Sequence, residues 1–301
     1  MSTNTIDIRG DIPTLESLID RSFTGAFVDD TVTSIGSYAF RGCANLTSVD
    51  LPNVVTVDDW GFQNCTNLSS INMPLLRTVR ARAFENCGLT SINLPAFVNT
   101  ASYCFRNCES LTRVILSTTS RIDIATCAFE NCTNLTSVDI PNLVTIGDSG
   151  FSACTSLASI DLSNVTSISD NAFKGCASLT SIDLPKATSI GNSAFQGCTN
   201  LASVDLPNVT GINSYTFTGC TSLASINLPK VTSISTSAFY QCTSLTSITL
   251  RANQVCTLGP SVFTNTPSTM KIYVPSDLVD SYKAATNWST YASQIEAIPS
   301  E

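Results

Sequence analysis

Cysteine, aspartate and arginine are the residues of this 301-residue chain whose number and spacing could carry chemistry. There are 13 cysteines but no histidine, so Ser-His-Asp and Cys-His nucleophiles and imidazole zinc sites are excluded. Charged residues make up only 13% and the formal net charge is −8, which argues against a nucleic acid or an anionic membrane as partner. An enzyme would have to use carboxylates, Lys, Tyr or Cys.

The arginines are concentrated in one part of the chain. Six of the ten lie between residues 77 and 121, where no lysine occurs. Arginine is enriched in binding hot spots and suits bidentate contacts with carboxylates. The predicted binding residues are Arg77, Arg80, Arg82, Arg106, Arg113 and the neighbouring Ile115. The alternative is a solvated basic stripe that offsets nearby acidic residues.

Aspartate recurs at a fixed interval of 22 residues, at Asp139, Asp161, Asp183 and Asp205. A column of carboxylates could bind a cation such as Ca²⁺, or its charge could be relieved by neighbouring serines and by solvent. We favour the second interpretation and expect no resident metal or cofactor. Paired carboxylates could also serve a glycosidase or lyase, but these aspartates belong to the repeat itself, so we expect no enzyme.

A phenylalanine ladder shows that these residues are positioned by an internal repeat. Its steps are mostly 22 residues, with one of 21 and two of 24, and a cysteine follows the first ten members by three residues. The ladder consists of Phe40, Phe62, Phe84, Phe105, Phe129, Phe151, Phe173, Phe195, Phe217, Phe239 and Phe263. Since one such unit cannot bury its own apolar stripe, the units are expected to stack.

Each unit is predicted to contain a strand and a helical turn. In the unit beginning at Cys154, Ile160 and Leu162 alternate as in a short strand. The spacing of Ile168, Ala172 and Phe173 is typical of one face of a short helix or 3₁₀ turn. A Gly or Asn before most ladder cysteines indicates a left-handed residue that closes the turn. The ten ladder cysteines are expected to be buried thiols, with disulfides and a metal site as alternatives.

The predicted fold is an α/β repeat solenoid with one parallel β-sheet wall and short helical or 3₁₀ turns opposite. We divide the chain into an N-terminal cap (1–26), a solenoid of about 11 coils (27–275) and a C-terminal helical cap (276–301). The first cap is expected to contain a helix over Pro13–Arg21. In the second, Ser276 is expected to N-cap a helix from Asp277 to Thr286. An aromatic segment, Trp288 to Ile295, follows as a lid or as an exposed ligand platform.

The units resemble the BspA-like, or Treponema-type, leucine-rich repeat, whose pattern L-x-x-I-x-L-P followed by I-x-x-x-A-F-x-x-C they match over roughly residues 27–275. The resemblance implies a right-handed leucine-rich-repeat coil. It also implies a bacterial surface or secreted adhesion and binding protein. The segment from Ile248 onward is similar to the end of leaderless members encoded by phages and prophages of gut bacteria.

The expected function is therefore non-enzymatic binding to a protein or carbohydrate on a cell surface, with possible display on a phage or prophage particle. One alternative is a structural or assembly subunit of a virion or tail, which contacts sister proteins. Another is a surface adhesin exported without a classical leader. We find no signal peptide or transmembrane run, so the expected site of synthesis is the cytoplasm.

Overall fold

The computed structural model describes residues 5–8, 25–28, 31–116 and 120–299. These fall into two units, Met1–Asp161 and Leu162–Glu301. Each is a solenoid of repeats with parallel strands, as the 22-residue pattern predicts. The predicted helix over Pro13–Arg21 and the insertion near Thr119 lie outside the described residues.

The first unit has one strand per repeat at the L-x-x-I-x-L motif, the motif strand. Motif strands pair in the orders β1-β2-β4-β6 and β8-β9-β11, all parallel and with equivalent positions opposite one another. They are β1 (Thr5–Ile8), β2 (Gly25–Val28), β4 (Ser48–Asp50), β6 (Ser70–Asn72), β8 (Ser91–Asn93), β9 (Arg113–Ile115) and β11 (Ser137–Asp139).

A second, shorter strand occurs in most repeats of this unit, just before the turn. These strands pair β3-β5-β7, with a further parallel bridge between Thr78 and Asn99, and β10-β12. They are β3 (Ser34–Ile35), β5 (Thr56–Val57), β7 (Thr78–Val79), β10 (Ile122–Ile124) and β12 (Leu143–Ile146).

The second unit repeats this plan with greater regularity. Its motif strands and one final strand pair in the order β14-β16-β18-β20-β22-β23, and its short strands as β13-β15 and β17-β19-β21. The motif strands are β14 (Ser181–Asp183), β16 (Ser203–Asp205), β18 (Ser225–Leu228), β20 (Ser247–Leu250) and β22 (Lys271–Val274), and the final strand of the C-terminal segment is β23 (Ile295–Ala297). The short strands are β13 (Ser167–Ile168), β15 (Ser189–Ile190), β17 (Gly211–Ile212), β19 (Ser233–Ile234) and β21 (Thr257–Leu258).

Two details of the predicted unit are wrong. Ile168 lies in a short strand, not on the face of a helix, because a two-residue strand is enough to direct one side chain into the core. The segment 160–162, expected as a strand, is not assigned as one.

Between the short strand and the ladder cysteine, the chain runs through consecutive tight turns. In the Phe40 repeat, the Arg41 N–H donates to the Tyr38 carbonyl and the Cys43 N–H to the Phe40 carbonyl, both at 3.1 Å, the i+3 to i pattern of 3₁₀ turns. Left-handed residues, Tyr38 at φ 63° and Gly42 at φ 71°, interrupt the pattern. The left-handed residue before the cysteine is therefore confirmed, whereas the one two residues before the phenylalanine is not predicted by the sequence pattern.

The core of each unit is a stack of ladder phenylalanines with parallel rings. In the first unit, the Phe40 and Phe62 ring centroids are 4.8 Å apart with planes 1° from parallel. In the second, the distance from Phe195 to Phe217 is 5.6 Å. All four rings are fully buried. Ring-over-ring stacking, on which the repeat interpretation depends, is thus confirmed in each unit.

The ladder cysteines are buried donors as well as small core residues. All 13 cysteines lie in the described residues, all are buried, and none forms a disulfide. The Cys65 thiol donates to the Phe40 carbonyl at 3.0 Å, and the Cys198 thiol to the Phe173 carbonyl at 3.2 Å. The Phe40 and Phe173 carbonyls also accept a backbone N–H from the cysteine of their own repeat, so each thiol adds a second hydrogen bond that joins one repeat to the next.

The second unit ends in a lid made from the aromatic segment. Trp288 is fully buried and donates its indole N–H to the Cys256 carbonyl at 2.6 Å, while Tyr291 packs edge-on against Phe263 at 5.3 Å. Strand β23 adds itself to β22, which covers the last edge of the sheet. Of the two interpretations of this segment, the lid is therefore confirmed and the exposed ligand platform is not.

The predicted C-terminal helix is shorter than expected. A 3₁₀ helix at Ser276–Leu278 leads into α1 (Val279–Ala284), and a second 3₁₀ helix occupies Trp288–Gln294. Ser276 lies inside the first 3₁₀ helix, whose N-cap is Pro275 without a side-chain hydrogen bond. The N-cap role of Ser276 is therefore wrong, because proline already directs the chain into the turn. None of the described helices has the length and apolarity that a membrane span requires.

Candidate functional site

In the first unit, the predicted binding residues lie in two separate groups. Arg77, Arg80, Arg82 and Arg106 lie in or beside the short strands and turns, whereas Arg113 and Ile115 lie on motif strand β9. Strand residues two apart point to the same face. Arg113 is therefore exposed and Ile115 half-buried on the outer face of β9, around the buried Val114. The structure does not bring the two groups together.

Arg82 and Arg106 join in one polar network around a buried carboxylate. Glu85 is 3% exposed and accepts from Arg82 Nη1 at 3.1 Å and from Arg106 Nη1 at 3.5 Å. Gln63 Nε2 donates to the other side of Glu85 at 2.6 Å, and Arg106 Nε donates to Glu130 at 2.7 Å. Burial lowers the pKa of Arg106, but Glu130 and Glu85 outweigh it and raise that pKa. These guanidinium groups therefore first satisfy the protein's own carboxylates.

The network continues into aromatic rings at the left-handed turn position. Tyr38 stacks on Trp60 at 4.8 Å between ring centroids, and the Arg82 guanidinium lies 4.3 Å from the centre of the Tyr103 ring. All four residues have φ between 57° and 63°, a conformation unusual for bulky side chains. The Tyr38 and Trp60 rings, and the Arg82 guanidinium and the Tyr103 ring, thus cover one another's faces.

The signal for this network was present in the sequence but needs column alignment to be found. Gln63, Glu85, Arg106 and Glu130 each follow a ladder phenylalanine by one residue. Stacking therefore places opposite charges one repeat apart. Arg80 likewise pairs with a carboxylate of the preceding repeat, Asp58, at 2.8 Å.

In each unit, exposed polar side chains line the outer face of most motif strands. Asn72 Nδ2 donates to Asp50 at 3.0 Å, and in the second unit Asp183 lies opposite Asp205, which lies opposite Asn227. A concavity of about 460 Å³ runs along this face between Ser48 and Pro95. Over the described residues, no group of three or more cysteine or carboxylate side chains is arranged to hold a metal ion.

Asparagines before the ladder cysteines form a second column, which the sequence analysis noticed only as turn residues. Asn86 donates to Asn64 at 2.6 Å, Asn107 to Asn86 at 2.8 Å and Asn131 to Asn107 at 2.9 Å, each from Nδ2 to Oδ1. Beside this column lies a concavity of about 520 Å³, the asparagine notch. It is lined by Asn64, Thr66, Asn86, Cys87, Gly88, Asn107, Glu109 and Ser110.

Burial makes several thiols poor nucleophiles at neutral pH. Burial raises the pKa of Cys104, Cys108 and Cys154 to about 12, against an ordinary value of 9.0. In the second unit, burial likewise raises the pKa of Cys198 and Cys242 to about 12. Because the thiolate is the reactive form, these cysteines are structural.

Similarity to known proteins follows the repeat. The family described as "BspA type leucine rich repeat region" matches in six copies over residues 17–78, 77–198 and 166–291. No curated protein is significantly similar to the sequence.

Solved structures with a similar fold include two bacterial proteins. A leucine rich cell surface protein from Faecalibacterium prausnitzii is 22% identical, with 98% of this chain and 92% of that chain covered and a TM-score of 0.51. A leucine-rich repeat protein from Bacteroides ovatus is also 22% identical, with the same coverage and a TM-score of 0.49. At this identity the likeness extends to the fold. Solenoids of this fold are typically non-enzymatic binding scaffolds. The family match covers most of the chain, and it agrees with the phenylalanine stack and the cysteine that follows each ring. The chain therefore belongs to the BspA-type leucine-rich repeat family.

Proposed function

We propose that this protein is a non-enzymatic adhesion scaffold that binds a protein or glycan on a cell surface through the outer face of its motif strands. The observation that carries the proposal is the break at β9. There an exposed cation and a half-buried apolar side chain, Arg113 and Ile115, replace the serine and aspartate or asparagine of neighbouring strands.

The break is suited to recognition because its surroundings are rigid and of opposite chemistry. Arg113 lies opposite Ser91 and Ser137, and Ile115 lies opposite Asn93 and Asp139. A preformed strand face loses little conformational entropy on binding. An arginine beside an apolar side chain is a common centre of a binding hot spot. The partner that fits carries a carboxylate next to an apolar or sugar-ring surface.

We infer that the protein has no catalytic role. The aspartates of the outer column belong to the repeat, and burial raises the pKa of the Cys154 and Cys198 thiols to about 12. If the column were instead a glycosidase site, purified protein would release reducing ends from a polysaccharide, and Asp161→Asn or Asp183→Asn would abolish the release. We expect no release from any polysaccharide tested.

Charge reversal on the strand face tests the binding. Fluorescently labelled protein is applied to a panel of bacterial and mammalian cells and to a glycan array. We expect Arg113→Glu to weaken binding at least tenfold, in line with about 1.4 kcal/mol or more for a hot-spot arginine. Arg251→Glu, an exposed arginine of the second unit with the same change of charge, is the matched control and should change binding less than twofold.

Two results contradict the proposal. Equal losses for the two variants would indicate a general charge effect with no role for the β9 break. Stoichiometric self-association in sedimentation experiments, without binding to cells or glycans, would favour the alternative of a virion or tail assembly subunit. Display on a phage particle is a separate question that requires finding the chain in purified particles.

A further inference from the structure

The asparagine notch arises from a single missing residue. The step from Phe84 to Phe105 is 21 residues, and the missing residue falls after Cys87, where the chain reads C-G-L in place of C-x-x-L. The shortened turn draws the backbone inward, so that a Cβ on Gly88 would lie 2.3 Å from the Thr66 carbonyl oxygen. Only glycine fits there, and the lost residue leaves a concavity on the surface of the first unit.

The asparagines beside the notch are not required by the fold. The position before the ladder cysteine needs a left-handed residue, and glycine occupies it in other repeats, with φ of 71° at Gly42 and 73° at Gly197. Asparagine replaces glycine in four successive repeats, with φ of 57° to 63°. The amide column is therefore an addition to the scaffold, and it coincides with the notch.

We propose that the asparagine notch is a binding site for a neutral sugar, either a monosaccharide or one residue of a glycan. Each asparagine amide has two N–H donors and a carbonyl acceptor, and the column uses only one N–H of each donor amide. Hydroxyls of Thr66 and Ser110 add donors and acceptors at the rim. Vicinal hydroxyls of a sugar, which are both donors and acceptors, match this set.

Charge and size favour a neutral sugar over other small ligands. Glu109 is the charged side chain among the described residues of the lining, and none of them is cationic, so an anionic ligand is repelled. A volume of about 520 Å³ falls within the usual range of small-ligand sites. The notch is separate from Arg113 and Ile115, so this inference adds a second site and does not rest on the strand-face contact.

Titration of the full-length protein with simple sugars tests the inference. The probes are glucose, galactose and N-acetylglucosamine, with glucuronate as the anionic comparison, and binding is followed by saturation-transfer NMR and calorimetry. We expect at least one neutral sugar to bind with a dissociation constant of about 1 mM, and glucuronate to bind several-fold more weakly.

Two variants remove the site without removing a residue that the fold needs. Asn86→Gly should weaken sugar binding about tenfold, because it deletes the central amide and leaves a residue that suits the left-handed turn. Insertion of Thr between Cys87 and Gly88 restores the common spacing and should fill the notch. Asn131→Gly, in the same column but outside the lining, is the matched control and should change binding less than twofold.

The outcomes separate this inference from the proposed function. If the unmodified protein binds none of the neutral sugars, the inference of a sugar site in the notch is wrong, whatever the result with cells. Sugar binding that survives Asn86→Gly and the insertion but is lost in Arg113→Glu would place the sugar on the strand face and also overturn it. Thermal melts of the three notch variants check that each keeps its fold.

Discussion

Two regions of this molecule share a core but differ on the surface. The irregular region (residues 58–130) and the regular region (residues 189–242) both stack buried phenylalanines 5.2 to 5.6 Å apart. In the regular region the two left-handed positions are held by Gly, Ser, Tyr or Gln, whereas in the irregular region they are held by Asn, Trp, Arg, Tyr and Cys.

This difference in residue type separates what the fold requires at the left-handed positions from what it does not. Left-handed backbone costs roughly 1–2 kcal/mol for residues other than glycine, so bulky side chains at these turns are not favoured by the fold. The irregular region carries Trp60, Arg82 and Tyr103 there, together with the buried carboxylate of Glu85. We therefore attribute stability to the features that the repeats share, and we propose that the exceptions in the irregular region serve recognition.

The largest expected effect is produced by alkaline pH and concerns buried thiols, which occur in both regions and in the repeats between them. Burial raises the folded-state pKa of Cys108, Cys154, Cys198 and Cys242 to about 12, whereas an unfolded thiol titrates near 9.0. The unfolded state therefore releases protons first. Stability is complete below pH 9 and is lost as the pH rises from 9 toward 12, by about 1.4 kcal/mol per thiol at pH 10.

Urea denaturation followed by circular dichroism between pH 7 and 10.5 measures this loss. Because many thiols contribute, we expect both regions to unfold within that range. A denaturation midpoint that does not change up to pH 10 would contradict the protonated, buried ladder. Replacing Cys154 and Cys198 by Ala should reduce the slope with pH without removing it.

Removing one ring from the stack is the next largest perturbation and should affect both regions equally. Phe84 and Phe195 are both fully buried between two stacked rings. Each change to Ala should lower the free energy of unfolding by about 4 kcal/mol, through lost burial and the cavity left behind. Urea denaturation measures both. Losses that differ by more than 2 kcal/mol would mean that the cores of the two regions are not equivalent.

Substitution of glycine should distinguish the regions. In Gly88→Ala the new Cβ would lie 2.3 Å from a backbone oxygen, so we expect a loss of about 3 kcal/mol from overpacking. In Gly197→Ala the nearest neighbour is 3.8 Å away, and only the left-handed backbone at φ 73° opposes the change, by about 1 kcal/mol. Thermal melts of both variants test the order, and the reverse order would show that the short turn at Gly88 is not tightly packed.

The parts of this fold that the sequence predicted are those that recur. The phenylalanine ladder, the buried thiols and the left-handed residue before each cysteine follow from spacing and residue type alone. Contacts between repeats were harder to predict, because Gln63, Glu85 and Arg106 become neighbours only once stacking is assumed. The second left-handed turn was missed since its residue type varies from repeat to repeat, among aromatic, arginine, cysteine, asparagine and serine side chains. The short repeat at the notch was visible in the sequence as a phenylalanine spacing of 21 residues. Its consequence could not be predicted, because the residues that line the concavity come from neighbouring repeats.

Charge removal gives the smallest effect and tests the polar network of the irregular region. The side chain of Glu85 is 5% exposed, and its arginine partners Arg82 and Arg106 are 33% and 32% exposed. Glu85→Gln keeps the shape but leaves two guanidinium groups without their shared carboxylate. Because both arginines are partly solvated, we expect a loss of about 1–2 kcal/mol rather than the larger value of a fully buried pair.

The matched change in the second unit is Glu296→Gln. Glu296 pairs with Lys271, but the two side chains are 46% and 43% exposed, and exposed pairs of this kind contribute little. Its urea midpoint should therefore equal that of the unchanged protein within error, at low and high salt alike. Equal effects of the two substitutions would mean that the network around Glu85 is an ordinary surface ion pair. In that case its arginines would be free to meet a ligand, and Arg82 and Arg106 would join Arg113 as candidates for the binding site.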